Sequence, residues 1–242
     1  VKLETLHARF LHDGYLHLPG FFDAGLMDQL HELIYAHFGD RPGFDHDDAF
    51  ISGTKTEVVP WFPQREGVQA FDAIENDPGL ASLTRQLLGE AWTSQYCMVM
   101  FSSAGTAGQA WHQDCPPEAT GRYNLNRLVY TRDIVSENGG QLGVRPGSHR
   151  LGELTVGEPH EDLPDQVILS PRKGDLVLLH GHCWHRVLPV VGHWRVSTNF
   201  RAAPHGVPDD VTDICVYRNM RYRFSTREVL VRRQPGDSAA RP

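Results

Sequence analysis

The sequence predicts a mainly β fold with flanking helices, of the sandwich or jelly-roll kind, and three observations carry that reading. Helical periodicity dominates up to about residue 90. From Thr93 onward, short strand-like runs follow one another at even spacing. Turn signals rich in Gly and Pro separate those runs.

Leu3, Leu6 and Phe10 fall on one helical face, and Gly14 supplies the left-handed residue that ends such a helix. Tyr15 to Leu18 reads as a short strand. Asp23 is the expected N-cap of a second helix, which sets Leu26, Leu30, Leu33 and Ile34 on one side and stops at Gly39. Asp77 caps a third helix. Pro78 sits at its first position, where a missing N–H costs nothing, and Gly89 follows the last turn. Between the second and third helices, Asp40 to Gly67 reads as irregular, with Phe44, Phe50, Trp61 and Phe62 embedded. Its length predicts a substrate lid that orders when substrate binds. Asp45-His46-Asp47-Asp48 within it reads as a solvated acidic stretch, because nothing there fixes a coordination geometry.

The expected strands are Thr93–Phe101, Gln109–His112, Leu125–Thr131, Gln141–Val144, Gln166–Ser170, Asp175–His180, His185–Val190 and Arg195–Arg201. Ala104-Gly105, Asn138-Gly139-Gly140, Pro146-Gly147-Ser148, Pro171 to Gly174 and Val191-Gly192 are the turns between them. No internal repeat is visible. One domain is expected over residues 1–233, with a helical part over about 1–90 and a strand core over about 93–201. The small, polar tail Gln234 to Pro242 is expected to fray.

A formal charge of −7 argues against a general nucleic-acid binder, which needs a basic face to neutralise phosphates. Arg221, Arg223, Arg227, Arg232 and Arg233 near the end read as a solvated charged segment. Cys97, Cys115, Cys183 and Cys215 form no C-x-x-C pair, which points to reduced thiols in a cytosolic protein rather than a zinc finger or disulfide framework. Apolar runs such as Leu176 to Leu179 are too short to span a bilayer, and the first residues lack a signal-peptide pattern. A small-molecule partner in the cytoplasm is therefore expected, with neither nucleic acid nor membrane.

Two constellations carry chemistry. In Trp111-His112-Gln113-Asp114, side chains two apart on a strand share a face, so His112 and Asp114 are able to meet one metal ion. Alone, H-x-D is a weak signal. The second runs from Gly174-Asp175 through His180, His182 and His185 to Arg195 and Ser197. A third imidazole from His180, His182 or His185 would complete a two-His, one-carboxylate set that leaves part of an iron(II) ion open. Arg195 and Ser197 again share a strand face and form a guanidinium–hydroxyl pair suited to a carboxylate.

These motifs resemble the phytanoyl-CoA dioxygenase-like family, within the iron(II)/2-oxoglutarate-dependent oxygenases. The resemblance spans nearly the whole chain. It starts at Phe10-Leu-His-Asp-Gly14 through Phe22 and includes Trp111 to Asp114, Glu137-Asn-Gly-Gly140 and Pro146-Gly-Ser-His149-Arg150. It ends with Gly174-Asp175 through His185, and Arg195. It implies a double-stranded β-helix, a cupin-like jelly roll with helices outside. It implies His112, Asp114 and His185 as iron(II) ligands, since the family's distal histidine precedes an arginine by about ten residues. His182 is then the competitor and His180 a non-ligand. It implies 2-oxoglutarate and O2 as co-substrates, with the distal carboxylate of 2-oxoglutarate on Arg195 and Ser197, and an amide at Gln95 as a further contact. His149 reads as structural, and Asn199 as lining the same face.

Related halogenases replace the carboxylate ligand by a small residue. Asp114 therefore favours hydroxylation, with desaturation, epoxidation or ring formation as variants of the same chemistry. A non-catalytic binding protein and a zinc hydrolase are the readings from other classes. The aromatics between Asp40 and Gly67 imply a partly apolar substrate, such as a specialised metabolite or an amino-acid-like compound. The acidic balance disfavours an acyl-CoA.

Overall fold

The computed structural model of the chain describes residues 2–39, 48–118 and 120–224. Phe44, the acidic residues Asp45 to Asp47, Arg227, Arg232, Arg233 and the tail Gln234 to Pro242 lie outside the described residues. In chain order the elements are α1 (Leu3–Asp13), β1 (Tyr15–Leu18), α2 (Ala24–Phe38), α3 (Asp48–Thr54), β2 (Val59–Trp61), α4 (Asp72–Glu75) and α5 (Pro78–Leu88). There follow β3 (Trp92–Ser102), β4 (Gln109–Gln113), β5 (Leu125–Val129), β6 (Leu142–Val144), β7 (Val167–Leu169), β8 (Leu176–His180), β9 (His185–Val187) and β10 (Arg195–Pro204). A short helix α6 (Asp209–Thr212) leads to the hairpin β11 (Ile214–Tyr217) and β12 (Met220–Arg223).

The strands form two antiparallel six-stranded sheets, ordered β1-β8-β5-β10-β3-β2 and β12-β11-β4-β9-β6-β7. This is the expected jelly roll, with helices flanking it. Period-two alternation explains how one sheet serves two cores. On β3, Cys97, Val99 and Phe101 join the cluster under the helices, while Met98 and Met100 join the cluster inside the roll. On β8, Leu176 and Leu178 face the helices, and Val177 and Leu179 face the interior. A strand covered on both sides reads as a continuous apolar run, as Leu176 to Leu179 does.

The helix ends follow the capping chemistry. Asp23 accepts hydrogen bonds from the Gly25 and Leu26 amides, and Asp77 from that of Leu80. Gly14 is left-handed at φ 78°. The buried stripe of α2 differs from expectation: it is Met27, Leu30, Ile34 and Phe38. Leu33 lies off that stripe and is exposed, because the 3-4-4 spacing of those four follows the helix more closely.

Residues 48–67 also depart from expectation. They hold α3, β2 and a 3₁₀ turn rather than irregular chain. β2 is an edge strand paired with β3, Val59 opposite Phe101 and Trp61 opposite Val99. Phe50, Trp61 and Phe62 are buried. Pro60 in mid-strand masked the pattern, since proline fits only the edge of a sheet. Limited proteolysis of the ligand-free protein should therefore spare residues 48–67. Rapid cleavage there, suppressed by substrate, would restore the lid reading. The terminal hairpin β11–β12 was likewise not foreseen. Among the described residues, no helix is long and apolar enough to cross a membrane.

Candidate metal centre

The register of β4 and β9 builds the centre. His112 and His185 stand directly opposite one another, with ring centroids 4.1 Å apart. Asp114 follows the last residue of β4 and turns back to the same point. His185 Nε2 lies 3.3 Å from Asp114 Oδ2, and His112 Nε2 lies 3.9 Å from Asp114 Oδ1. The three ligand atoms lie within 4.8 Å of one another, and all three residues are buried.

Backbone carbonyls fix the imidazole tautomers. Nδ1 of His112 donates to Ala110 O at 2.8 Å, and Nδ1 of His185 to Cys183 O at 2.9 Å. A carbonyl only accepts, so each Nδ1 carries a proton and each Nε2 is left facing Asp114, the nitrogen a metal would use. Burial, then the neighbouring His185, pushes His112 down to about 4, so its ring is neutral at physiological pH. Burial pushes the Asp114 carboxyl up, but the Arg201 guanidinium and His185 outweigh it and hold the group well below the usual carboxylate range. Two imidazoles and one carboxylate converging from one side fit iron(II) with open positions opposite.

His182 is not in this group. It sits in the turn before β9, packed at 5.0 Å from the His180 ring. His180 stacks on Tyr123 at 4.0 Å and takes a hydrogen bond at Nδ1 from the His182 amide. His149 bonds the Leu11 carbonyl through Nε2, as a structural residue would.

The centre opens into a pocket between the two sheets. Arg195, Ser197, Asn199 and Arg201 alternate along one face of β10 and all line it. Arg195 is held in place: Nε donates to Gly140 O at 2.8 Å and Nη1 to Ser197 Oγ at 3.0 Å. This gives the Asn138-Gly139-Gly140 motif its reason. Gly140 has φ 75°, and a Cβ there would lie 2.8 Å from Arg195 Cδ. The buried Tyr130 hydroxyl faces the Arg195 guanidinium.

Gln95 is not brought to the pocket. Arg201 pairs with Tyr96 and Ala202 with Ser94, so Gln95 is the extra residue of a β-bulge. Tyr96 lines the cavity in its stead, and Gln95 lies outside it. Arg127, a conceivable alternative anchor, is buried against the helices and bonded to Glu75 at 2.7 and 2.9 Å.

The remaining walls are largely apolar. Phe50, Tyr217 and Tyr222 form one aromatic group, and Tyr217 lies 5.2 Å from the His112 ring at 22°. Met98 and Met100 of β3 supply flexible apolar surface. Tyr130, Asn126 and the β11–β12 residues were missed in the sequence, and Arg201 stood there only as an alternative anchor. None of the missed residues belongs to a motif.

A family model described as Phytanoyl-CoA dioxygenase (PhyH) matches residues 10–192. No curated protein matches the chain in sequence. Among solved structures, the epimerase SnoN in complex with Fe3+, alpha ketoglutarate and nogalamycin RO is similar, with TM-score 0.67 and 22% identity over 98% of this chain and 92% of that one. HygX from Streptomyces hygroscopicus with nickel, 2-oxoglutarate and hygromycin B bound is similar with TM-score 0.63 and 16% identity, over 85% of this chain and 88% of that one. At these identities the likeness speaks for the shared jelly roll.

Proposed function

Because the chain belongs to the phytanoyl-CoA dioxygenase family of iron(II)/2-oxoglutarate-dependent oxygenases, we propose that it hydroxylates a C–H bond of a small, partly apolar metabolite, with succinate and CO2 released. One observation carries the reading. The convergent His112, Asp114 and His185 share a single cavity with the Arg195–Ser197 pair.

In this reading His112, Asp114 and His185 hold iron(II). When bound, iron(II) with 2-oxoglutarate supplies the activation of O2 that hydroxylation requires. Arg195 and Ser197 grip the distal carboxylate of 2-oxoglutarate, with the Tyr130 hydroxyl beside the guanidinium. The aromatic and methionine walls exclude water and aim the substrate. SnoN and HygX are solved with nogalamycin RO and hygromycin B, which supports a small-molecule substrate here. Residues 1–233 are read as one catalytic unit.

Anaerobic addition of iron(II) and then 2-oxoglutarate tests the reading. A weak visible charge-transfer band is the expected result. Its absence would leave a zinc hydrolase or a non-catalytic binding protein. Product analysis with candidate substrates then separates hydroxylation from desaturation, epoxidation or ring formation.

A further inference from the structure

The carboxylate of Asp114 is held by more than its backbone. Arg201 is 4% exposed, and its Nη2 lies 2.9 Å from Asp114 Oδ1. The same guanidinium donates from Nε to Asn126 Oδ1 at 2.9 Å and from Nη1 to the Thr212 carbonyl at 3.3 Å. Asn126 in turn donates from Nδ2 to Asp114 Oδ2 at 2.6 Å. Its own Oδ1 also accepts from Asn199 Nδ2 at 2.7 Å, so two donors fix which way its amide faces. Asp114, Arg201 and Asn126 thus close a ring of hydrogen bonds, one on each carboxylate oxygen. Turning the carboxylate about its Cβ–Cγ bond would break both.

The pair also matters by charge. A buried carboxylate and a buried guanidinium compensate each other, and removing one leaves the other unpaired. The Arg201 charge offsets that of Asp114. A dication held there keeps its full charge for an anionic co-substrate. A planar fork makes the two bonds at once, which a lysine ammonium cannot do.

We propose that Arg201, acting with Asn126, is a positioning residue that fixes the rotation of the Asp114 carboxylate and neutralises its charge, so that the metal centre meets an oriented donor and retains its pull on 2-oxoglutarate. The role in co-substrate binding rests on the function proposed above; the clamp itself does not.

Two measurements test it. The first is a double-mutant cycle in metal-free protein, Arg201→Gln against Asp114→Asn, read by chemical denaturation. Coupling of at least tenfold in the folding equilibrium, about 1.4 kcal/mol, is expected. Additive effects would overturn the clamp. The second is anaerobic titration of the iron(II) proteins with 2-oxoglutarate. Arg201→Gln is expected to weaken 2-oxoglutarate about tenfold or more and to shift the charge-transfer band. Wild-type affinity with an unshifted band would overturn the role at the metal. If Arg201→Gln does not fold, Arg201→Lys replaces it in both measurements. It keeps the charge and loses the fork, so weaker coupling, an intermediate affinity and a displaced band are expected, and wild-type behaviour in all three overturns the positioning role. If wild-type protein takes up no iron(II), the proposed function falls, and the metal-free cycle still decides whether Arg201 clamps Asp114.

Discussion

His185→Ala is expected to abolish iron(II) uptake and turnover while leaving the fold intact, and His182→Ala to retain both. The two histidines are three residues apart on one loop-to-strand segment, so sequence proximity does not separate them. The β4–β9 register does. It sets His185 opposite His112 and leaves His182 beside His180 in the preceding turn. Losing one of three metal bonds should exceed the roughly 10–100-fold loss that follows removal of a supporting hydrogen bond to a ligand. His112→Ala and Asp114→Ala should behave as His185→Ala does. Anaerobic iron(II) binding, with circular dichroism for the fold, reads the result. Iron binding lost in His182→Ala and kept in His185→Ala would reverse the assignment.

Arg195→Ala is expected to weaken 2-oxoglutarate by about ten- to a hundredfold. A hydrogen bond to a charged group contributes about 1.5–3 kcal/mol, and about 1.4 kcal/mol is tenfold in affinity. The side chain is already oriented by Gly140 O and Ser197 Oγ, so little ordering remains to be done on binding. Iron(II) uptake should survive, because the three ligands are untouched. Arg195→Lys should fall between, since an ammonium lacks the planar fork. Titration of the anaerobic iron(II) protein reads the effect. Unchanged affinity with intact iron binding would move the anchor elsewhere. Arg127 is a poor substitute because Glu75 already holds it on the helix side of the sheet, and Arg201 because Asp114 and Asn126 occupy it.

Much of this was legible in one dimension. Period-two alternation and turn residues gave most strands of the roll to within a few residues, because one buried face imposes that pattern locally. Asp23, Asp77, Gly14 and Pro78 marked helix ends through bonds made within a turn. The edge strand β2 and the hairpin β11–β12 were not legible. One carries a proline in mid-strand, and the other is four residues a side with arginines alternating along its second strand.

The sequence by itself determined the fold class and named the ligand types and the Arg–Ser pair, because those residues sit in short motifs whose spacing survives without coordinates. Only the tertiary structure decided which atoms share a point. Strand register set His185 opposite His112, a meeting that the resemblance implied but the chain's spacing could not show. A single bulged residue took Gln95 out of the cavity and left Tyr96 on its wall. The folded-back strands brought Arg201 to Asp114 across 87 positions of chain. Contacts of that kind depend on pairing between distant segments, and no local periodicity encodes them. A one-residue slip in register would carry every side chain of a strand to its opposite face.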